Sequence, residues 1–261
     1  MSTLLVYRSV YHRTWLKVAR RPVILLLSFV QPLIWMSFFG FLFQRFDLGA
    51  LPANVSYLDF LVPGICGMTV LVGGSQSGIG LIRDMQAGML ERALCTPANR
   101  WGMLAGKISA DVSRLLIQAV VVATLGFLLG ARYHINLRSL IASLACLSLF
   151  GAGYCGISCW IALKTRRQES MASFIHLTNM PLFFTSSALV PAKKMPAWLA
   201  NLADWNPLSL ALEQLRGGLV YGTTPAALPA FVVLAALCIA ALAAAYTELN
   251  RYLVAKESPR V

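Results

Sequence analysis

Apolar residues run along this chain in stretches too long for a soluble fold, and polar residues collect between them. Six stretches read as membrane spans, at 23–43, 60–82, about 112–130, 139–163, 171–190 and 226–247. Each is close to the ~20 helical residues that cover roughly 30 Å of hydrocarbon. Long unbroken runs predict helices, whereas a transmembrane barrel shows short alternating segments. The expected fold class is therefore all-α and polytopic, with six transmembrane helices. The domain reading has two parts, an N-terminal amphipathic interfacial helix over 1–22 and a six-span transmembrane domain over 23–261.

The polar segments carry more information than the spans. Within 1–22, Leu4, Tyr7, Tyr11, Trp15 and Val18 recur at helical spacing, while Arg8, Arg13 and Lys17 take other faces. This pattern predicts a helix lying in the membrane interface, anchored by Arg20 and Arg21 before Pro22. From Arg83 to Lys107 a charged stretch separates two spans. At 100° per residue, Ile82, Met85, Met89 and Ala93 share one face with Leu90 beside them, and Asp84, Gly88 and Glu91 take the opposite face. Pro97 ends that helix, and Thr96 before it is pushed out of helical geometry. The pattern fits an ordinary surface helix and a coupling helix seated on a cytosolic ATPase subunit equally well. The segment 191–225 is apolar and aromatic but broken by Pro196 and Pro207. It predicts short helices dipping partway into the outer leaflet, where protein must cover the backbone and Trp198 and Trp205 suit the headgroup level.

Composition supports the membrane class. The chain is 58% hydrophobic and 12% charged, with a mean hydropathy of +0.69. Charged residues at about half the soluble norm leave too little polar surface for a soluble domain. The net charge of +12 does not point to nucleic acid, because Lys and Arg cluster at the ends of the apolar runs. With the N-terminus inside, the inner segments hold 15 of the 22 Lys and Arg and the outer segments hold 6. That asymmetry predicts both termini in the cytoplasm. The first span has too long a basic lead and too extended an apolar run for a cleaved signal peptide. Cysteines fall inside apolar runs or the inner segment, so no disulfide framework is expected. Cys155 and Cys159 share a helix face, which reads as packing.

No catalytic constellation is present, and the chain is not expected to be an enzyme. His12, His134 and His176 are scattered. The string Gly102-Met-Leu-Ala-Gly106-Lys107-Ile108 falls short of a P-loop: it has one residue too few between its glycines and Ile where Ser or Thr must reach magnesium. Asp111 and Arg114, at i, i+3, are expected at the inner interface with Arg114 snorkelling. Gly74 and Gly78 form a small-xxx-small pair for close helix approach in the second span. The fifth span holds His176, Thr178, Asn179, Thr185, Ser186 and Ser187 among Phe174, Phe183 and Phe184. Those groups suit either interhelical hydrogen bonds or the wall of a cavity for an amphipathic substrate. Glu213 and Arg216 share a helix face and read as a salt bridge, or more weakly as part of an exit gate.

Four motifs resemble one family. They are Gln31-Pro32-Leu33-Ile34-Trp35 and Tyr57-Leu58-Asp59-Phe60-Leu61-Val62-Pro63-Gly64. The third is Ile82-Arg83-Asp84 followed by Gly88-Met89-Leu90-Glu91-Arg92 and Thr96-Pro97, and the fourth is Asn206-Pro207-Leu208-Ser209 with Glu213 and Arg216. In this order on a six-span frame, the chain is similar to the membrane subunits of the ABC-2 family of ABC transporters. The daunorubicin-type drug and nodulation-type lipo-oligosaccharide export permeases are the most similar branch. The resemblance implies export of an amphipathic or lipid-linked substrate (a drug, lipid or glycan) across a bacterial inner membrane. It implies a second permease in surrounding lipid, an identical copy forming a homodimer or a related permease, and two ATPase subunits beneath. Those subunits, rather than this chain, would bind ATP and Mg. Arg83, Asp84, Met85, Met89, Glu91 and Arg92 would couple to the ATPase, with Arg166 and Arg167 in a second contact loop at 164–170. The second and fifth spans would line the pathway, through Met68, Phe174, His176, Asn179, Phe183 and Phe184. Asn206, Pro207, Glu213 and Arg216 would form the outer segment or gate. A secondary transporter or channel working without an ATPase is the alternative.

Overall fold

A computed structural model describes residues 3–20, 22–43, 55–89, 99–223 and 227–257. Its helices are α1 (Thr3–Ala19), α2 (Pro22–Phe43), α3 (Tyr57–Gln86), α4 (Arg100–Leu128) and α5 (Leu137–Thr165). After these come α6 (Gln168–Phe184), α7 (Ala197–Trp205), α8 (Pro207–Arg216) and α9 (Ala227–Glu257). A 3-10 turn at Ala192–Lys194 precedes α7, and a π-helical turn at Gly217–Tyr221 follows α8. No strand occurs among the described residues, as the apolar runs predict.

Five helices, α2, α3, α4, α5 and α9, are long and apolar enough to cross a membrane. The predicted span at 171–190 is served by α6, which has 17 residues and stops at Phe184. Pro181 sits in its last turn, and Thr185 to Leu189 turn instead of continuing the helix. At 1.5 Å per residue α6 is about 26 Å long, at the short end for a crossing. The predicted start of the third span also shifts. α4 begins at Arg100, where the Asn99 side chain accepts the Trp101 N–H, so 100–107 belongs to the helix rather than to a polar loop.

α3 is the hub of the bundle. In its most apolar stretch 78% of residues are buried, against 11% in α2 and 28% in α9. Its start is fixed by a capping box: Ser56 Oγ accepts the Asp59 N–H, and the Asp59 carboxylate accepts the Ser56 N–H at 2.7 Å. The same carboxylate accepts the Arg132 N–H at 2.7 Å, which ties the α4–α5 turn to the head of α3. A buried carboxylate holding two backbone donors is satisfied without a cation. Gly74 and Gly78 allow the close approach expected of them, because a Cβ on Gly78 would lie 2.4 Å from the Ser158 carbonyl oxygen of α5.

α1 lies along the first turns of α4. A Cβ on Gly102 would come within 2.9 Å of the Thr3 carbonyl oxygen, and one on Gly106 within 2.7 Å of that of Tyr7. The near-miss of a P-loop is therefore a pair of helix-packing glycines inside α4. Across this contact Tyr11 Oη and Trp15 Nε1 both meet Ser113 Oγ, each at 3.1 Å.

Candidate functional site: a tied basic end and a polar seam

One end of the bundle gathers the last turn of α3, the first turn of α4, α1 and the α5–α6 corner. The sequence period placed Arg83, Asp84, Met85 and Met89 on one helix running to Pro97. The structure corrects this. α3 ends at Gln86, Ala87 donates back to Arg83, and Gly88 takes φ +67. A left-handed glycine stops the helix without the steric cost a Cβ would add. Arg83, Asp84 and Met85 are thus the last turn of a spanning helix, and Met89 lies beyond the break. Glu91, Arg92 and Pro97 lie outside the described residues.

Asp84 is already engaged. Its carboxylate accepts Arg13 Nη2 at 3.1 Å and pairs with Lys17 Nζ, both from α1. Arg83 beside it is exposed, and Met85 packs on the core. Gln86 Oε1 accepts the Gln168 side-chain amide at 2.7 Å, joining α3 to the start of α6. The Asn99 amide donates to Thr3 Oγ1 at 2.8 Å, joining the head of α4 to α1. Trp101 stacks on Tyr246 at 4.2 Å, and Arg100 donates to Asn250 at 3.2 Å, so α9 is linked as well. At the corner, Arg166 takes a left-handed φ of 56 and lies over the Tyr252 ring at 4.7 Å, while Arg167 is exposed at the N-cap of α6. Both ends of the segment between α3 and α4 are therefore attached to α1, and through it to each other.

A seam of buried polar groups runs from this end into the bundle. Asp111 Oδ2 accepts Lys107 Nζ at 2.7 Å and the Ser77 hydroxyl, and Lys107 also donates to Ser77 at 3.0 Å. Both charged side chains are enclosed, Lys107 at 11% and Asp111 at 9% exposure. The expected Asp111–Arg114 pair at the interface is corrected. Asp111 pairs one turn back with Lys107, and Arg114 donates to Gln118 at 3.3 Å and to the Gly73 carbonyl at 3.4 Å. The i, i+4 spacing of Lys107 and Asp111 was the available signal. It applies only because α4 starts at Arg100, which puts Lys107 inside the helix rather than in a polar loop.

Further along the seam, the Tyr154 hydroxyl donates to Asn179 Oδ1 at 2.6 Å, and the Asn179 amide donates to Ser75 Oγ at 3.0 Å. Ser158 Oγ donates to the Ser75 carbonyl at 2.6 Å and accepts the Gly78 N–H at 2.9 Å. The α3 segment from Ser75 to Gly78 therefore meets α4, α5 and α6 through hydrogen bonds, as buried polar groups in an apolar setting require.

The opposite end is built from α7, α8 and the turn after α6. Asn206 caps α8 and donates to the Leu182 carbonyl at 2.8 Å and to Thr185 Oγ1 at 3.1 Å, with Pro207 at the first helical position. Arg216 is buried, at 4% exposure. It donates to Ser187 Oγ (3.1 Å) and to the carbonyls of Ser187 (2.6 Å), Ala188 (3.1 Å) and Phe60 (3.3 Å), and its guanidinium lies 3.6 Å from the Phe60 ring centroid. The expected salt bridge is therefore corrected: Glu213 is exposed, and Arg216 instead satisfies the carbonyls that the break after α6 leaves free. A Cβ on Gly64 would lie 2.2 Å from the Ala188 carbonyl oxygen, so only glycine lets this turn press on α3.

The residues expected to line a pathway divide. Met68, Asn179 and Phe183 are buried within the protomer, Phe174 is half-buried, and His176 and Phe184 are exposed. Trp35 of α2 meets Phe183 edge-on at 5.7 Å. Among the described residues no three His, Cys, Asp or Glu side chains converge as a metal site.

Comparison with known proteins identifies the family. A family model described as "ABC-2 type transporter" matches residues 6–220. The ycf38 transport permease of Cyanophora paradoxa is 33% identical over 205 residues, covering 78% of this chain and 70% of that protein. A daunorubicin resistance ABC transporter permease protein of Streptomyces coeruleorubidus is 28% identical over 203 residues, covering 77% and 70%. A multidrug ABC transporter permease of Escherichia coli, YbhR, is 26% identical over 157 residues, covering 59% and 42%.

Proposed function

This chain belongs to the ABC-2 type transporter family and is an ABC transporter membrane subunit, and on that premise we propose that it is the permease of an exporter driven by a separate ATPase. The observation that carries this reading is the tied basic end. A protein that receives force from outside must pass it to its spans through stiff, satisfied contacts. Here Asp84 holds α1 to the tail of α3, Asn99 holds α1 to the head of α4, and Gln86 holds α3 to α6. Movement imposed on the segment between α3 and α4 reaches three helices at once. The polar seam then couples α3 to α4, α5 and α6 deeper in the bundle.

In this reading the basic end faces the cytoplasm, in line with the Lys and Arg asymmetry, and both termini are cytoplasmic in a bacterial inner membrane. Two ATPase subunits bind ATP and Mg and dock beneath two permease copies. The exposed face of α6, with Leu177, Met180 and Phe184, supplies the apolar surface that a second copy covers. The substrate is amphipathic or lipid-linked, and the resistance permeases among the relatives favour a drug-like molecule moved outward. The buried Lys107–Asp111 pair is the one feature that suits a proton-coupled secondary transporter, but its charges are closed on each other and on Ser77.

The test is co-expression and co-purification of the chain with candidate ABC ATPase subunits, followed by ATPase measurements in lipid with a panel of drugs, lipids and glycans. A stable complex whose hydrolysis rises severalfold with amphipathic compounds supports the proposal. Transport activity in the absence of any ATPase overturns it.

A further inference from the structure

A cavity of about 430 Å³ opens between α4 and α5 at the end remote from the basic face. Its walls are Val120, Ala123 and Phe127 of α4 and Leu140, Leu144 and Leu147 of α5, closed below by Leu215 and Leu219. This volume falls in the range of small-molecule sites. Val120, Phe127 and Ile135 of its wall are exposed, so the cavity is a groove open to whatever surrounds the spans.

The groove is lined by three side chains able to donate a hydrogen bond, and each donor is spent on a backbone carbonyl of α4. Cys66 Sγ donates to the Ala119 carbonyl at 3.3 Å, Thr124 Oγ1 to the Val120 carbonyl at 2.9 Å, and Tyr133 Oη to the Ala123 carbonyl at 2.7 Å. The wall is polar in composition at these points but presents hydrocarbon. A ligand group that needs a hydrogen-bond donor would find these three already committed and would lose the bond it made to water. A hydrocarbon chain loses nothing. At the mouth, the α4–α5 loop carries Arg132, with Arg138 in the first turn of α5, both exposed. Asp59, which accepts the Arg132 N–H, is buried and also holds the Ser56 N–H, so its carboxylate is already engaged. The loop therefore stands as net positive charge above a hydrocarbon groove on a membrane-spanning surface, a combination that matches a phospholipid.

We propose that a phospholipid of the leaflet at this end seats one acyl chain in the α4–α5 groove, with its phosphate beside the Arg132–Arg138 loop. It is a resident lipid rather than cargo. The groove lies apart from the α6 face and from the basic end. The inference rests on the spans and on the groove, not on the exporter reading, so it stands or falls separately.

The experiment uses the full chain in nanodiscs of phosphatidylcholine doped with phosphatidylglycerol that carries a photoactivatable group midway along one acyl chain. Adducts are mapped by peptide mass spectrometry, with the lipid-facing Ile239 region of α9 as the reference. The expected result is labelling of the Val120–Phe127 and Leu140–Leu147 peptides severalfold above that reference. Filling the groove by Ala123→Trp, or from the other wall by Leu144→Trp, removes the excess, and size-exclusion profiles show which variant stays folded. Arg132→Gln with Arg138→Gln lowers labelling about fivefold or more, since each cation near a headgroup contributes on the order of a fivefold preference for anionic lipid. Even labelling across all lipid-facing peptides overturns the proposal, as does groove labelling that persists in both tryptophan variants. A cysteine at Val120 that cross-links two copies of the chain shows a protein occupant and overturns it too. Labelling insensitive to the arginine pair overturns the headgroup assignment.

Discussion

Ser158 sits in the hydrogen-bond ladder of its neighbour: its hydroxyl accepts the Gly78 N–H at 2.9 Å and donates to the Ser75 carbonyl at 2.6 Å. A side chain from α5 thus bridges one turn of α3, at the point where α3 also meets Lys107, Asp111 and Asn179. Side chains that insert into a helix ladder mark places where helices bend. Because Ser75–Gly78 lies between the basic end and the turn at Ala188, it is where movement of the tail of α3 would be converted into movement of its head. Ser158→Ala is expected to cost only about 0.5–1.5 kcal/mol of stability but to lower substrate-stimulated ATP hydrolysis severalfold. Gly78→Val overpacks the contact with the Ser158 backbone and should cost about 1–3 kcal/mol or more. Thermal unfolding in detergent and ATPase assays on reconstituted complex separate the two effects.

The Lys107–Asp111 pair should show strong interdependence. Lys107→Met alone leaves the Asp111 charge buried against Ser77 and is expected to destabilise by about 3–5 kcal/mol. Lys107→Met with Asp111→Leu removes both charges and should recover most of that loss. A double-mutant cycle on unfolding midpoints checks this. Additive effects would show that the two groups do not share one site.

Arg216 and Glu213 should behave as unrelated residues. Glu213→Gln is expected to change stability by no more than about 0.5 kcal/mol, as for an exposed position. Arg216→Lys loses the planar fork that reaches Ser187, Ala188 and Phe60 together and should cost about 2–3 kcal/mol. If the two variants are equally damaging, the salt bridge suggested by their spacing is real and the carbonyl cap is not.

At the basic end, Asp84→Asn breaks a partly exposed pair of contacts to α1 and should cost at most about 1 kcal/mol of stability. Its expected effect is on coupling: ATP hydrolysis continues while substrate transport falls severalfold. Replacing Glu91 and Arg92 together should also cut transport while leaving the permease folded and inserted. Parallel assays of hydrolysis and vesicle transport read both outcomes.

Much of this architecture was legible in the apolar runs, because hydrocarbon length fixes helix length and leaves little freedom. Interruptions of regular helix were harder to see. The period through Ile82, Met85, Met89 and Ala93 looked continuous because periodicity scores side chains and is blind to φ, and Gly88 at +67 breaks it. The early stop of α6 was likewise hidden in an apolar run, since Ser187 and Ala188 are buried whether or not they are helical. Partner choice was ambiguous for the same reason. Asp111 had Lys107 and Arg114 within reach along α4, and only the packing of Ser77 from α3 selects Lys107. Gly102 and Gly106, whose spacing falls short of a P-loop, serve the close contact of α1 with α4, which the near-motif did not reveal.

A soluble ATPase is expected to dock on the end of the bundle held together by Asp84, Asn99 and Gln86. The most direct measurement places a photo-cross-linking amino acid singly at positions 83, 89 and 167, and as controls at 198 and 205, in the chain co-expressed with an ABC ATPase subunit that co-purifies with it. Cross-links to the ATPase are expected from the first three positions and none from the two tryptophan positions of α7. Cross-links from α7, or none from the basic end in a complex that otherwise purifies intact, would contradict that docking.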